Sequence, residues 1–252
     1  MDDVLLAFSG GKDSFLAACR LIDQKYRVHL ITFDNGSEMM MDNVLHGVKR
    51  LQAKFSDKVV IWQGFYKTTG IIPLLSDHWR QAPMWEFAED YPALTNCHLT
   101  CLICQSAMWN AGIAYCQSHT IHYYATGYKS TDEFCTGMSE WVDGVSAFAK
   151  KHGVTTLFPL WEGISDFDRD TAMISYGFQP AVLEPKCCLG CWPAEKMSDD
   201  VRGNIMAYFN GVLLPVMEDR FDQYADIFRH ILLDKSTEDN AEVRSFRAMR
   251  AT

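Results

Sequence analysis

Apolar residues fill Val4 to Phe8 without a break, which reads as a short buried strand. From Ser14 the pattern changes period: Phe15, Leu16, Ala18, Cys19 and Ile22 recur at helical spacing. Arg27 to Asp34 reads as a second strand. A helix is predicted from about Glu38 to Gln52, with Met41, Val44, Leu45, Val48 and Leu51 on one face. Lys58 to Trp62 reads as a third strand. Gly64 to Asn96 is rich in aromatics and prolines and predicts only one helix, near Ile72 to Trp79. Alternation then returns, with a helix at Leu102–Gln117, a strand at Thr120–Thr126, a helix at Ser139–Lys151 and a strand at Thr155–Leu160. Asp166–Tyr176 predicts a helix whose acidic first turn suits its dipole, and Pro180–Glu184 a last short strand. After Cys191 the pattern is helical only, at Val201–Tyr208 and Glu218–Leu233.

Alternating strands and helices predict an α/β fold with a mainly parallel sheet flanked by helices. The expected organisation is an α/β domain over residues 1–192 and a helical C-terminal extension over 193–252. Ligands of such sheets bind beyond the carboxyl ends of the strands. That rule selects Ser9 to Ser14, Phe33 to Gly36 and Thr126 to Lys129 as neighbours across one crevice.

Composition narrows the setting. Hydrophobic residues make up 48% of the 252, enough for a full core. The N-terminus has acids where a secretory signal has a basic region, and glycines cut its apolar run short. No apolar stretch approaches the ~20 residues that span a bilayer, so a cytoplasmic protein without a membrane partner is expected. The net charge of −9 disfavours broad nucleic-acid binding, which needs clustered lysine and arginine.

The first strand and helix are joined by Ser9-Gly10-Gly11-Lys12-Asp13-Ser14. Glycines here permit positive φ and expose backbone N–H groups. A helix N-terminus aimed at the same spot attracts anions, Lys12 adds positive charge, and Ser9 and Ser14 add hydroxyls. The spacing matches neither the Walker A loop nor the dinucleotide G-x-G-x-x-G pattern. A tight strand–helix turn with a capping Asp or Ser would explain a bare glycine pair, but not the whole run.

"AFSGGKDS" resembles the S-G-G-x-D-S loop of the PP-loop ATP pyrophosphatases, the adenine nucleotide α-hydrolase group. "LITFDNG" resembles that family's second strand. "ATGYKSTDE" resembles its A-T-G-H-x-x-D segment, with Tyr128 at the usual histidine place and Asp132 displaced by one residue. The resemblance implies the fold of that group, with ATP and Mg²⁺ as ligands. Ser9, Gly10, Gly11, Lys12, Asp13, Ser14, Phe33, Asp34, Thr126 and Gly127 are then the nucleotide-binding residues. Lys12, Asp13 and Ser14 would be catalytic. Asp13 either holds the metal or caps the helix, and Asp34 either serves the metal or ends its strand. The implied reaction cleaves ATP to AMP and pyrophosphate, adenylating a substrate carbonyl or carboxylate for attack by sulfur or nitrogen. A non-catalytic ATP-binding regulatory module is the alternative of another class.

Six of nine cysteines are clustered, in "CHLTCLIC" and "CCLGC"; Cys19, Cys116 and Cys135 are scattered and expected in the core. In a reducing compartment such clusters point to metal rather than disulfides. Two C-x-x-C pairs, Cys101/Cys104 and Cys188/Cys191, can converge on structural Zn²⁺ or hold a [4Fe–4S] cluster, leaving Cys97 and Cys187 as spare or alternative ligands. The layout resembles the 2-thiocytidine synthetase-like branch, which slightly favours sulfur insertion. "CCLGC" also resembles the zinc motif of the 7-cyano-7-deazaguanine synthase branch, whose amide- or nitrile-forming chemistry, including antiphage versions, is the alternative. The charge favours a small molecule, nucleobase or protein terminus as substrate over tRNA. Homo-oligomerisation is left open. Trp79, Trp85 and Phe87 are candidates for a pocket lining, and His98 for a metal ligand.

Overall fold

The computed structural model describes residues 1–36, 38–68, 90–182, 185–187 and 197–233. Its centre is a five-stranded, wholly parallel sheet in the order β4-β2-β1-β5-β6. These strands are β1 (Asp3–Ala7), β2 (Arg27–Asp34), β4 (Val60–Lys67), β5 (Tyr123–Ala125) and β6 (Thr155–Leu157); β3 (Glu38–Met39) and β7 (Lys186–Cys187) form a separate antiparallel pair.

β1 is the central strand. Val4, Leu5 and Leu6 are fully buried, as a strand covered on both faces requires. Its side chains alternate between two cores: Leu5 joins Ile31 and Phe33 on one face, while Val4 and Leu6 join Val28 and Leu30 on the other. The second face is covered by α1 (Lys12–Asp23), α2 (Val44–Phe55) and α5 (Asp166–Ser175), through Phe15, Leu16, Val44, Val48, Leu51 and Met173. The first face is covered by α3 (Asn96–Ser118) and α4 (Ser139–Lys151).

α3 is apolar all round and buried on most sides. Two buried polar side chains donate within the helix, Ser106 to the Leu102 carbonyl at 2.8 Å and Asn110 to that of Ser106 at 3.0 Å, while Asn110 Oδ1 has no hydrogen-bond partner among the described residues. Gly112 lets the Tyr124 ring of β5 lie flush on the helix, since a Cβ there would meet that ring at 2.4 Å. Trp109 completes the contact edge-on, with ring centroids 4.9 Å apart. The C-terminal helices α6 (Asp199–Tyr208) and α7 (Leu214–Leu233) are joined by a π-helical stretch, Phe209–Leu213. Ile205, Tyr208, Phe209 and Met217 enter the same core as α3 and α4.

The mainly parallel α/β fold is as the sequence predicts. Several boundaries differ. The second helix starts at Val44, because β3 and a 3-10 turn occupy Glu38 to Asn43. α3 begins six residues earlier than Leu102, at Asn96, where Thr95 and His98 form a capping box. No strand forms over 180–182; β7 lies beyond it and pairs with β3. The helix expected near Ile72 to Trp79, with Trp79, Trp85 and Phe87, lies outside the described residues. Among those described, no helix is long and apolar enough to cross a membrane.

Candidate functional site

Strand order places the site. From β1 the chain runs outward to β2 and β4, then returns to β5 on the other side of β1. The carboxyl ends of β1 and β5 therefore flank the switch point where such sheets bind ligands. Register brings them level: Leu5 pairs with Tyr124 and Leu6 with Ala125. Phe8–Lys12 and Thr126–Lys129 consequently leave the sheet side by side.

Gly10 takes φ +79°, a conformation open to glycine, and turns the chain from β1 into α1. No side chain caps α1, whose N-cap is Gly11, so the donors of its first turn face outward. The serines organise the loop from within. Ser14 donates to the Gly11 carbonyl at 3.0 Å, and Ser9 Oγ accepts from the Gly11 N–H at 3.2 Å. The two hydroxyls are 3.2 Å apart; with the Ser14 proton committed to Gly11, Ser9 is the donor of that pair.

Gly127 brings the second loop against the first. A Cβ on it would lie 2.9 Å from Ser14 N and 3.0 Å from the Asp13 carbonyl carbon. Those are backbone atoms, so glycine is what allows the approach. Thr126 beside it is 1% exposed, and its hydroxyl is buried without a hydrogen-bond partner among the described residues.

Asp13 does not cap α1. Its carboxylate is clasped by Lys129 Nζ at 3.0 Å and Arg169 Nη1 at 3.1 Å. Lys12 Nζ is held by both carboxylate oxygens of Asp170, at 3.0 and 2.8 Å. Hydrogen bonding from Lys12 holds Asp170 below the usual carboxylate range. Burial works against the charge of Arg169, but Asp13, Asp166 and Asp170 outweigh it and raise its pKa. Burial also raises that of Asp132, whose carboxylate accepts from the Lys129 N–H at 3.1 Å.

Arg169 and Asp170 were not anticipated from the sequence. One signal was present: arginine near a helix N-terminus opposes the dipole, and "DFDRD" puts one there among three aspartates. Lys129 lies on the predicted crevice rim, though with no role assigned to it.

Tyr128, at the histidine place of the resembling motif, turns away into the core. Its hydroxyl donates to Gln105 Oε1 at 2.6 Å and its ring packs among Trp109, Trp141 and Phe158. Asp34 ends β2 as an Asx turn, accepting from the Gly36 N–H at 2.8 Å, and Phe33 is buried under it.

The cysteines meet at the next residue. Asn35 Nδ2 lies 3.4 Å from Cys104 Sγ and 3.7 Å from Cys187 Sγ, joining α3 to β7. Cys135 is buried, as expected, and burial raises its pKa. One expectation fails: Cys97 is disulfide-bonded rather than a thiol. Cys188 and Cys191 lie outside the described residues, and among the described ones no group of three or more ligands is gathered for a metal. His98 is committed to the α3 cap, its Nδ1 accepting from the Thr95 N–H at 3.1 Å.

No protein-family model matches the chain, and no curated protein matches it in sequence. Solved structures do. A 4-thiouridine synthetase bound to RNA and ATP aligns with TM-score 0.59 at 12% identity, over 87% of this chain and 53% of the other. This chain thus spans about half the length of that protein. Looser matches are a U34-tRNA thiolase from Methanococcus maripaludis with its [4Fe–4S] cluster (TM-score 0.48, 13% identity, 93% and 73% covered) and a predicted tRNA methyltransferase subunit from Methanocaldococcus jannaschii (0.45, 16%, 84% and 89%). The alignment to the 4-thiouridine synthetase shows that this chain has the adenine nucleotide α-hydrolase fold.

Proposed function

We propose that this chain is an ATP-dependent adenylating enzyme. The observation that carries the reading is the glycine loop between β1 and α1, set at the switch point and backed by Gly127. Its first-turn donors, Lys12 and two hydroxyls suit a polyphosphate. The shared fold supports it, since the 4-thiouridine synthetase was solved with ATP bound.

In the proposed reaction a substrate carbonyl or carboxylate oxygen attacks the α-phosphorus. The bond to the β-phosphate oxygen breaks, and pyrophosphate leaves into the loop. A sulfur or nitrogen nucleophile then attacks the adenylated carbon and AMP departs. Lys12 offsets the charge that develops on the leaving pyrophosphate, and loop donors hold it in position. Gly10, Gly11, Asp13 and Ser14 shape that loop, while Phe33, Asp34, Thr126 and Gly127 form the remaining rim. Asp13, once released from Lys129 and Arg169, and Asp34 are the proposed carboxylates for Mg²⁺, which would supply further charge neutralisation.

The thiol-rich rim fits a soft metal group. Cys104 and Cys187 already meet at Asn35, on the carboxyl side of the sheet. In the fully reduced protein, Cys101 and Cys104, with Cys188 and Cys191, are the proposed ligands of Zn²⁺ or a [4Fe–4S] cluster. The cysteine layout favours sulfur insertion, and the net charge of −9 favours a small molecule, nucleobase or protein terminus over tRNA.

ATP labelled at the α-phosphate, incubated with candidate substrates, should yield labelled AMP. Lys12→Ala should lower that rate by about 10²- to 10³-fold with the fold intact. Release of ADP and phosphate instead would refute the reading. Metal content of anaerobically purified protein separates the branches: iron with labile sulfide supports sulfur insertion, one zinc the amide- or nitrile-forming alternative.

A further inference from the structure

α5 delivers two charges to the phosphate loop from far along the chain. The side chain of Arg169 is 11% exposed and that of Lys129 is 12% exposed. Cations buried to this degree need anionic partners. Within the loop they share one carboxylate, Asp13, although Arg169 also reaches Asp166 at 2.9 Å on its own helix and Lys129 lies 3.7 Å from Asp132. Arg169 Nε is buried without a hydrogen bond: Asp170 Oδ1 is 3.5 Å away, close enough to attract but not to accept. Lys12 is likewise occupied, by Asp170. Three cations thus converge where the backbone is already built for an anion, each engaged by an aspartate.

We propose that Arg169 and Lys129 are polyphosphate-binding residues, and that Asp13 and Asp170 are exchangeable counter-ions that phosphate oxygens replace. The inference rests on the adenylating reading above. It adds that α5 belongs to the nucleotide site, and that Asp170 competes with the ligand for Lys12. The sign of that competition separates it from a structural role. An aspartate that merely orders Lys12 helps binding; a counter-ion opposes it.

The test is calorimetric titration of the full chain with pyrophosphate, ATP and AMP. Arg169→Met and Lys129→Met keep much of the side-chain volume and remove the charge. Each should weaken pyrophosphate and ATP about tenfold or more, the worth of a charge-assisted hydrogen bond, and leave AMP unchanged. Asp170→Asn should tighten pyrophosphate by about two- to fivefold, because the displaced ion pair is partly exposed and therefore modest. Should Arg169→Met unfold, Arg169→Lys and Asp170→Asn still decide, since tighter binding cannot come from misfolding. Unchanged pyrophosphate affinity in folded Arg169→Met, or weaker binding by Asp170→Asn, overturns the proposal while wild-type AMP formation leaves the adenylating reading standing. Wild-type protein that binds neither ATP nor pyrophosphate overturns both.

Discussion

Gly127→Ala adds a single carbon where the two site loops touch. The new Cβ would sit 2.9 Å from Ser14 N, 3.0 Å from the Asp13 carbonyl carbon and 3.1 Å from Ser14 Cα. Ordinary contacts of this kind are about 3.5–4.0 Å, so the loops must part by roughly half an ångström or more. Neither partner can swing aside, because both are backbone at the start of α1. Overpacking of this sort costs about 1–3 kcal/mol. The same displacement acts on Lys129, two residues on, which holds Asp13 at 3.0 Å. A misplacement near 1 Å costs up to about 100-fold in rate, so a drop of about 10- to 100-fold in AMP formation is expected. Urea unfolding measures the first effect and labelled ATP turnover the second. Gly203→Ala is the control: nothing lies within 4 Å of its Cβ position on the exposed side of α6. That change should stabilise by about 0.5–1 kcal/mol, the helix preference of alanine over glycine. Gly127→Ala with wild-type urea midpoint and wild-type turnover would show that the close approach of the loops is not what shapes the site.

Two further predictions concern pH. Burial lowers the pKa of His152, whose ring lies tilted against Phe221 with centroids 3.7 Å apart and so ties the end of α4 to α7. A folded-state value below the unfolded one means its stabilisation is present above the ordinary histidine pKa and is lost as pH falls through the lowered value. Urea midpoints should fall below about pH 6.5, and His152→Gln should flatten that step; an unaltered step refutes the assignment. Asp3, hydrogen-bonded to Arg27 and His29, has its pKa lowered to about 2, with the Arg27 hydrogen bond as the leading cause. Its contribution is present above the ordinary aspartate pKa and is lost as pH falls from there through the folded value of about 2. Allowing for solvent screening, Asp3→Asn should cost about 1 kcal/mol at pH 7 and little near pH 2, read by the same titration.

Local chemistry made the phosphate loop legible. An apolar strand, two glycines and a helix start fall within one stretch, so the strand–loop–helix junction is visible without any long-range contact. Strand β1 was legible for the same reason, since burial on both faces leaves an unbroken apolar run from Val4 to Ala7. α3 was underestimated at its N-terminus, where Asn96–Leu102 carries few large apolar residues and the capping box declares itself only through Thr95 and His98 together. The parallel α/β fold and the glycine-rich junction between β1 and α1 follow from the sequence alone. The company this loop keeps comes instead from long-range packing. Parallel strands need crossover connections, and these bring Arg169 and Asp170 to Asp13 and Lys12 from 156 and 158 residues away. The same packing sets Cys187 and Cys104 on either side of Asn35 and presses Gly127 onto α1. Periodicity records which face of a helix is buried; it does not record which loops that burial brings together.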